Sequence, residues 1–213
     1  MIDRDDSGTA RFAAILAGAS VLILLLASLA FVLLQLRAPA DRFAACREVQ
    51  IAGGQSIGGP FELIDHFGNP ATDQTVIDRP SLIYFGYTFC PDVCPLDVVR
   101  NVEAVDLLKE LGHEVRPVFI TVDPERDTVN ALSDYAGAMH EDMIALTGEP
   151  SKLKQALARF GGSASKQDDS EFYLMQHTTL TYLTLPREGT VAIFTRRLPP
   201  EDLAKKTQCY LNS

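Results

Sequence analysis

Two cysteines stand four residues apart in the run Cys90-Pro91-Asp92-Val93-Cys94. A deprotonated thiol is both a nucleophile and a soft metal ligand. On a helix, positions i and i+4 lie on one face, so this pair can serve as a redox dithiol or as two ligands of one ion. Two plain packing cysteines are disfavoured, because Pro91 and Pro95 flank them. Prolines suit a turn and the first turn of a helix, where a missing N–H costs little. A structural zinc site is disfavoured by ligand count: it needs four, and the nearest histidines, His66 and His113, stand alone in the sequence.

Such a pair needs elements to position it. Ser81–Tyr87 is a continuous apolar and aromatic run, the pattern of a strand buried on both faces. Pro95–Leu111 carries Val98, Val102, Val105 and Leu108 at helical spacing, with Gly112 as its stop. The thiols therefore fall on a strand-to-helix turn. There the unpaired N–H groups and dipole of a helix N-terminus favour the thiolate. Further strands are expected at Phe61–Ile64, Val115–Val122, Met143–Leu146, Thr178–Leu185 and Thr190–Thr195. Further helices are expected from an Asp127 or Thr128 cap to about Ala138, over Pro150–Phe160 and over Pro200–Leu211. Gly161–Asp169 reads as a loop. Early strand–helix alternation implies a parallel central sheet covered by helices, and the late hairpin makes that sheet mixed.

The apolar residues are unevenly spread. Phe12–Leu36 contains no charge, and Arg11 and Arg37 bracket it. About 20 apolar residues cross a bilayer, whereas a cleaved signal has an apolar stretch of only about 7–15. A retained single-pass anchor is the expectation. Arg4 and Arg11 before it against Arg37, Arg42 and Arg47 after it lean toward a cytoplasmic C-terminal side. The organisation expected is a short tail over 1–11, an anchor over 12–36, a linker over 37–54 and one domain over 55–213. Lys and Arg total 19 against 28 Asp and Glu, a net charge of -9 that argues against nucleic acid as partner. Four cysteines are too few for a disulfide scaffold. Cys46 and Cys209 lie outside the motif and are either paired with each other or separate thiols.

The run Gly86-Tyr87-Thr88-Phe89-Cys90-Pro91-Asp92-Val93-Cys94-Pro95 closely resembles a signature of the Sco/SenC family. Ile120-Thr121-Val122-Asp123-Pro124-Glu125-Arg126-Asp127-Thr128 resembles its second signature, and Ala145-Leu146-Thr147-Gly148 a third. The resemblance covers about residues 55–211. It implies a thioredoxin-like α/β fold behind one transmembrane helix, and a copper protein that helps assemble the copper centre of cytochrome c oxidase. It implies one copper, Cu(I) or Cu(II), per chain, with His177 as third ligand beside Cys90 and Cys94. Two thiolates suit Cu(I), and an added imidazole supports Cu(II). The implied partners are the copper-bearing oxidase subunit and a periplasmic copper donor or thiol reductant. The family's topology overrides the arginine count and puts the soluble domain in the periplasm, on a bacterial inner membrane.

The chain departs from the family at Gln176, where an acid usually precedes the histidine. Asp123 and Asp127 read as turn and helix-cap residues, and Tyr84, Phe85, Tyr87 and Phe89 as core and rim of the site. Two readings of the pair stay open. In one, Cys90, Cys94 and His177 carry copper by ligand exchange at an exposed site. In the other, Cys90 and Cys94 are a redox dithiol that keeps the acceptor's cysteines reduced, and His177 is dispensable. A peroxidase of the peroxiredoxin type is disfavoured, because Thr88 and Tyr84 stand where its motif needs other spacing.

Overall fold

The computed structural model describes residues 6–36, 41–47, 57–91 and 93–213, which form two compact units, one up to Arg42 and one from Phe43. The first unit is a single helix, α1 (Asp6–Leu36). Its stretch Ile15–Leu33 is long and apolar enough to cross a membrane, and those side chains are exposed. The helix starts within the segment expected to be a tail.

The second unit is built on a seven-stranded sheet. In chain order it contains β1 (Glu62–Asp65), β2 (Pro70–Thr72), α2 (Asp73–Val76), β3 (Ser81–Gly86), α3 (Val93–Glu110) and β4 (Arg116–Thr121). It continues with α4 (Val129–Met139), β5 (Ile144–Thr147), α5 (Pro150–Arg159), β6 (Ala164–Lys166), β7 (Met175–His177), β8 (Leu180–Leu185), β9 (Gly189–Thr195) and α6 (Pro200–Leu211). The strand order is β2-β1-β5-β4-β3-β8-β9, and β6 pairs β7 in a separate ribbon. β3, β4 and β5 run parallel; β8 lies antiparallel to β3, and β1 antiparallel to β5. The sheet is thus mixed.

β3 is central and all six of its residues are buried. Period-two alternation sends Ile83 and Phe85 to one face and Leu82 and Tyr84 to the other. Ile83 and Phe85 meet Leu153, Leu157 and Phe160 from α5 and its end. Leu82 packs with Val105 and Leu108 of α3 and Leu203 of α6, and Tyr84 with Val98 and Leu132. Fully burying a side chain such as Phe85 contributes about 2–3 kcal/mol. Helices on both faces of the sheet leave the carboxyl ends of β3 and β4 as the natural place for a site.

Four short elements, β2, α2, β6 and β7, were not legible in the patterning. β2 and α2 follow the Gly68-Asn69-Pro70 turn, where Thr72 and Thr75 form a reciprocal capping box. β6 lies inside the stretch expected to be a loop, because its partner β7 is nine residues beyond and the pairing supplies what local propensity does not. Part of the expected linker is also ordered. Of residues 37–54, only 41–47 are described; there Phe43 is buried against Tyr210, and Cys46 is disulfide-bonded to Cys209 with Cα atoms 5.7 Å apart. That resolves the open question about these two cysteines. The compact unit accordingly begins at Phe43 rather than at residue 55.

A candidate thiol–imidazole metal centre

Cys90 and Cys94 lie at the carboxyl end of β3, and α3 begins at Val93, so Cys94 sits in its first turn. The Cys94 backbone N–H donates to Cys90 Sγ at 3.4 Å. This is the interaction expected of a sulfur at a helix N-terminus, where amide hydrogens lack intrahelical partners. Both thiols are free of disulfide, yet both are buried, Cys90 to 7 % and Cys94 to 0 % exposure. Burial corrects two expectations. The site is not an open one, and desolvation outweighs the helix terminus at Cys94, pushing its thiol up to about 12.

Gly86 makes this packing feasible. A Cβ there would lie 2.9 Å from the Tyr84 and Phe119 rings and 3.4 Å from Cys94 Sγ. Any side chain would therefore push on the sulfur and on the two aromatic rings beside it.

His177 comes from the other side, as the last residue of β7. Its Nε2 is 3.2 Å from Cys94 Sγ, and its Nδ1 is 3.1 Å from the Thr178 carbonyl oxygen. A carbonyl can only accept, so Nδ1 carries the hydrogen and Nε2 presents a lone pair to the thiol. Burial lowers the pKa of His177, favouring the neutral ring. The Tyr84 and Tyr87 rings stand nearly perpendicular to the imidazole at centroid distances of 6.2 and 5.8 Å. The structure thus joins all three predicted residues in one place. Among the described residues, no group of three or more His, Cys, Asp or Glu side chains is placed to hold a metal ion as it stands. The sulfur–nitrogen spacing nevertheless fits shared ligation. Metal bonds of about 2.3 Å to sulfur and 2.0 Å to nitrogen hold two donors roughly 3.2–3.8 Å apart at bond angles near 95–120°.

Gln176 is exposed and faces away from His177, as alternation along a strand requires. The orienting contact for the ring comes from the Thr178 carbonyl instead. Asp127 does not cap α4; Thr128 does, accepting from the Ala131 N–H. Asp127 is buried and accepts from the Thr88 N–H, the Thr88 hydroxyl and the Thr121 hydroxyl, tying the Cys90 loop to the end of β4. Desolvation raises its pKa. Asp123 binds Arg126 and the Tyr173 hydroxyl, the latter at 2.7 Å. The Arg126 guanidinium lies 3.7 Å from the Tyr173 ring centroid and 5.1 Å from that of Phe89, which is itself 57 % exposed. Of the four predicted aromatics, Tyr84 and Tyr87 flank the site, Phe89 forms its rim, and Phe85 belongs to the opposite face of the sheet.

A buried polar group under the site escaped the sequence reading. Tyr84 donates to Asp97 Oδ2 at 3.0 Å. Asp97 in turn lies 3.9 Å from Arg100 and 3.8 Å from Arg196. Arg100 also reaches the Asn101 and Thr181 oxygens at 2.9 and 2.7 Å. The available signal was an acid and a base three apart among the apolar positions of α3.

The SCO1/SenC family model matches residues 49–212. Protein SenC of Rhodobacter capsulatus is 44% identical over 174 residues, covering 81% of this chain and 79% of that protein. The crystal structure of Arabidopsis thaliana ScoI with copper bound superposes with a TM-score of 0.71 at 33% identity, covering 74% of this chain and all of that one. Bradyrhizobium japonicum ScoI with copper bound gives a TM-score of 0.65 at 34% identity, covering 73% of this chain and 99% of that one. The second unit has the thioredoxin-like fold of these proteins, and the chain belongs to the SCO1/SenC family.

Proposed function

We propose that this chain is a membrane-anchored copper carrier. One copper ion is held as cargo by Cys90, Cys94 and His177 and passed to the copper-bearing subunit of cytochrome c oxidase. The observation that carries this reading is the 3.2 Å contact between Cys94 Sγ and the lone-pair nitrogen of His177. A dithiol can work without an imidazole, whereas a soft ion on two thiolates gains its third donor from this nitrogen. The copper-bound structures of two family members add support. On this reading residues 12–36 are the anchor and the domain stands in the periplasm of a bacterial inner membrane; α1 and the bacterial SenC relative favour that placement.

Exposure orders the transfer. Cys90 retains 7 % exposure and Cys94 none, so an acceptor thiolate exchanges with Cys90 first, while Cys94 and His177 release last. Ligand exchange of this kind keeps the ion bound to sulfur throughout. Anaerobic copper titration of the purified protein tests the reading: one equivalent binds to wild type, and Cys90→Ser, Cys94→Ser and His177→Ala each weaken it.

A second reading, a thiol–disulfide reductase acting on the acceptor's cysteines, draws on the same pair. Neither thiol is in a disulfide, and Cys90 Sγ receives the Cys94 amide hydrogen. His177→Ala separates the two. A protein that loses copper binding but still supports oxidase assembly is the reductase.

A further inference from the structure

Two sulfurs and one nitrogen fill three positions around a soft ion, and a tetrahedral site holds four. One more soft atom lies at the same end of the sheet. β7 runs from Met175 to His177. Side chains alternate along a strand, so Met175 and His177 share one face of the ribbon and Gln176 takes the other. Exposure follows that alternation: Gln176 is exposed, whereas Met175 and His177 are both partly covered. Met175 packs against the buried cluster that contains Tyr84, Tyr87, Cys90 and Cys94.

The Tyr87 hydroxyl bounds the distance. It is hydrogen-bonded to the Met175 backbone and to the Cys90 side chain. Two such bonds in series, at roughly 3–3.5 Å each, put the Met175 backbone within about 7 Å of Cys90 Sγ. A thioether on three rotatable bonds crosses part of that gap. An ion bridges the remainder, since two donors on one ion stand roughly 3.2–3.8 Å apart. The other polar groups at this end are committed elsewhere. Tyr84 donates to Asp97, and the Asp127 carboxylate accepts from Thr88 and Thr121. Two further methionines touch the same cluster. However, Met139 ends α4 and Met143 precedes β5, which runs parallel to β4, so both lie toward the opposite end of the sheet.

We propose that Met175 is a fourth, weaker ligand of the copper cargo, completing a set of two thiolates, one imidazole and one thioether that selects Cu(I). The proposal rests on the copper-carrier reading above. A thioether is soft and neutral. It adds no charge to a site that already holds two thiolates, and it favours Cu(I) over the harder Cu(II). It is also the donor most easily given up. In transfer, the bond from copper to Met175 Sδ breaks as a bond to an incoming acceptor thiolate forms, and Cys90 leaves afterwards. The ion keeps its oxidation state, and no electron is exchanged.

The test uses the full-length chain in detergent, loaded anaerobically with one equivalent of Cu(I). One preparation carries selenomethionine, and its X-ray absorption is recorded at the selenium edge. One of the four selenium atoms should have copper as a neighbour within about 2.5 Å. Met175→Leu, which nearly conserves side-chain volume, should remove that neighbour. Competition with a chromophoric chelator should show Met175→Leu binding Cu(I) about tenfold more weakly, with Cu(II) affinity within about twofold of wild type. No copper neighbour at selenium, with Cu(I) bound equally by both proteins, overturns the inference and leaves the carrier reading standing. Equal weakening of Cu(I) and Cu(II) in Met175→Leu, again with no copper neighbour at selenium, marks a packing role and overturns it too. A wild-type protein that binds no copper overturns the carrier reading, and the fourth ligand with it.

Discussion

The molecule holds two cysteine pairs under opposite conditions. Cys90 and Cys94 are four residues apart, buried and not joined by a disulfide; Cys46 and Cys209 are 163 apart, half-covered and joined by one. Proximity in sequence thus marks the reactive pair and distance the covalent one. The difference lies in what surrounds the sulfur. At the carboxyl end of β3, the Cys90 loop is held by Asp127, and Cys94 faces an imidazole lone pair, so its partner is a nitrogen. Beside α6, each sulfur has the other as its partner, and the 5.7 Å Cα separation lies within the ordinary range for a disulfide.

The largest expected effect breaks the contrast at the reactive pair. Replacing Cys94 by Ser exchanges a soft donor for a hard one at the residue that touches both Cys90 and His177. It should weaken Cu(I) binding by about 1000-fold or more, read by competition with a chromophoric chelator; this expectation rests on the affinity of Cu(I) for thiolate. Asp127→Ala should cost about 3 kcal/mol in denaturant unfolding, since it strands the buried Thr88 N–H and the Thr121 hydroxyl. Asp127→Asn should cost much less, because an amide can serve both partners. The pH dependence of that pair has a definite sign. The folded carboxyl has a raised pKa, so the unfolded chain loses its proton first as pH rises. The stability of wild type relative to Asp127→Asn should therefore fall as pH climbs from below about 3.9 to neutral, and a rise would contradict the assigned burial.

At the bonded pair, Cys46→Ser/Cys209→Ser should lower stability by about 3 kcal/mol, while copper affinity stays unchanged, because that bond lies at the far end of α3, where Gln208 meets His113. Loss of affinity in that variant would mean the two pairs are coupled. His177→Ala should weaken copper about 100-fold and leave the reactivity of the two thiols toward a disulfide reagent within a few-fold; the imidazole removed is one of three donors. Gln176→Asp should have the smallest effect, within a few-fold, since residue 176 is exposed and the Thr178 carbonyl already orients the ring.

The strand–turn–helix around Cys90 and Cys94 was readable, because a run buried on both faces, a proline-flanked turn and a 3.6-residue apolar period are local signals. The mixed sheet followed from alternation and the closing hairpin. His177 was a different matter: nothing in its own neighbourhood marks a ligand, and only the family signatures singled it out. Burial of the thiols was not legible, since it depends on Tyr87, Val98 and Met175 arriving from three elements. Nor was the Asp97–Arg100–Arg196 group, whose members are 96 residues apart at their extremes of Arg100 and Arg196 and meet only because β9 ends beside α3. The Cys46–Cys209 bond stayed undecided for the same reason: two single cysteines carry no spacing information across a whole domain.

The donors of the site belong to two different structures. Cys90 and Cys94 grow out of the seven-stranded sheet, whereas His177 ends the two-stranded ribbon of β6 and β7, which has three register pairs. The imidazole thus reaches Cys94 and Tyr84 from an element that is not part of the sheet. On the copper-carrier reading, the grip on the ion is divided into a fixed jaw and a light one, and substitutions in the ribbon should retune how readily the ion is surrendered without touching the seven-stranded sheet.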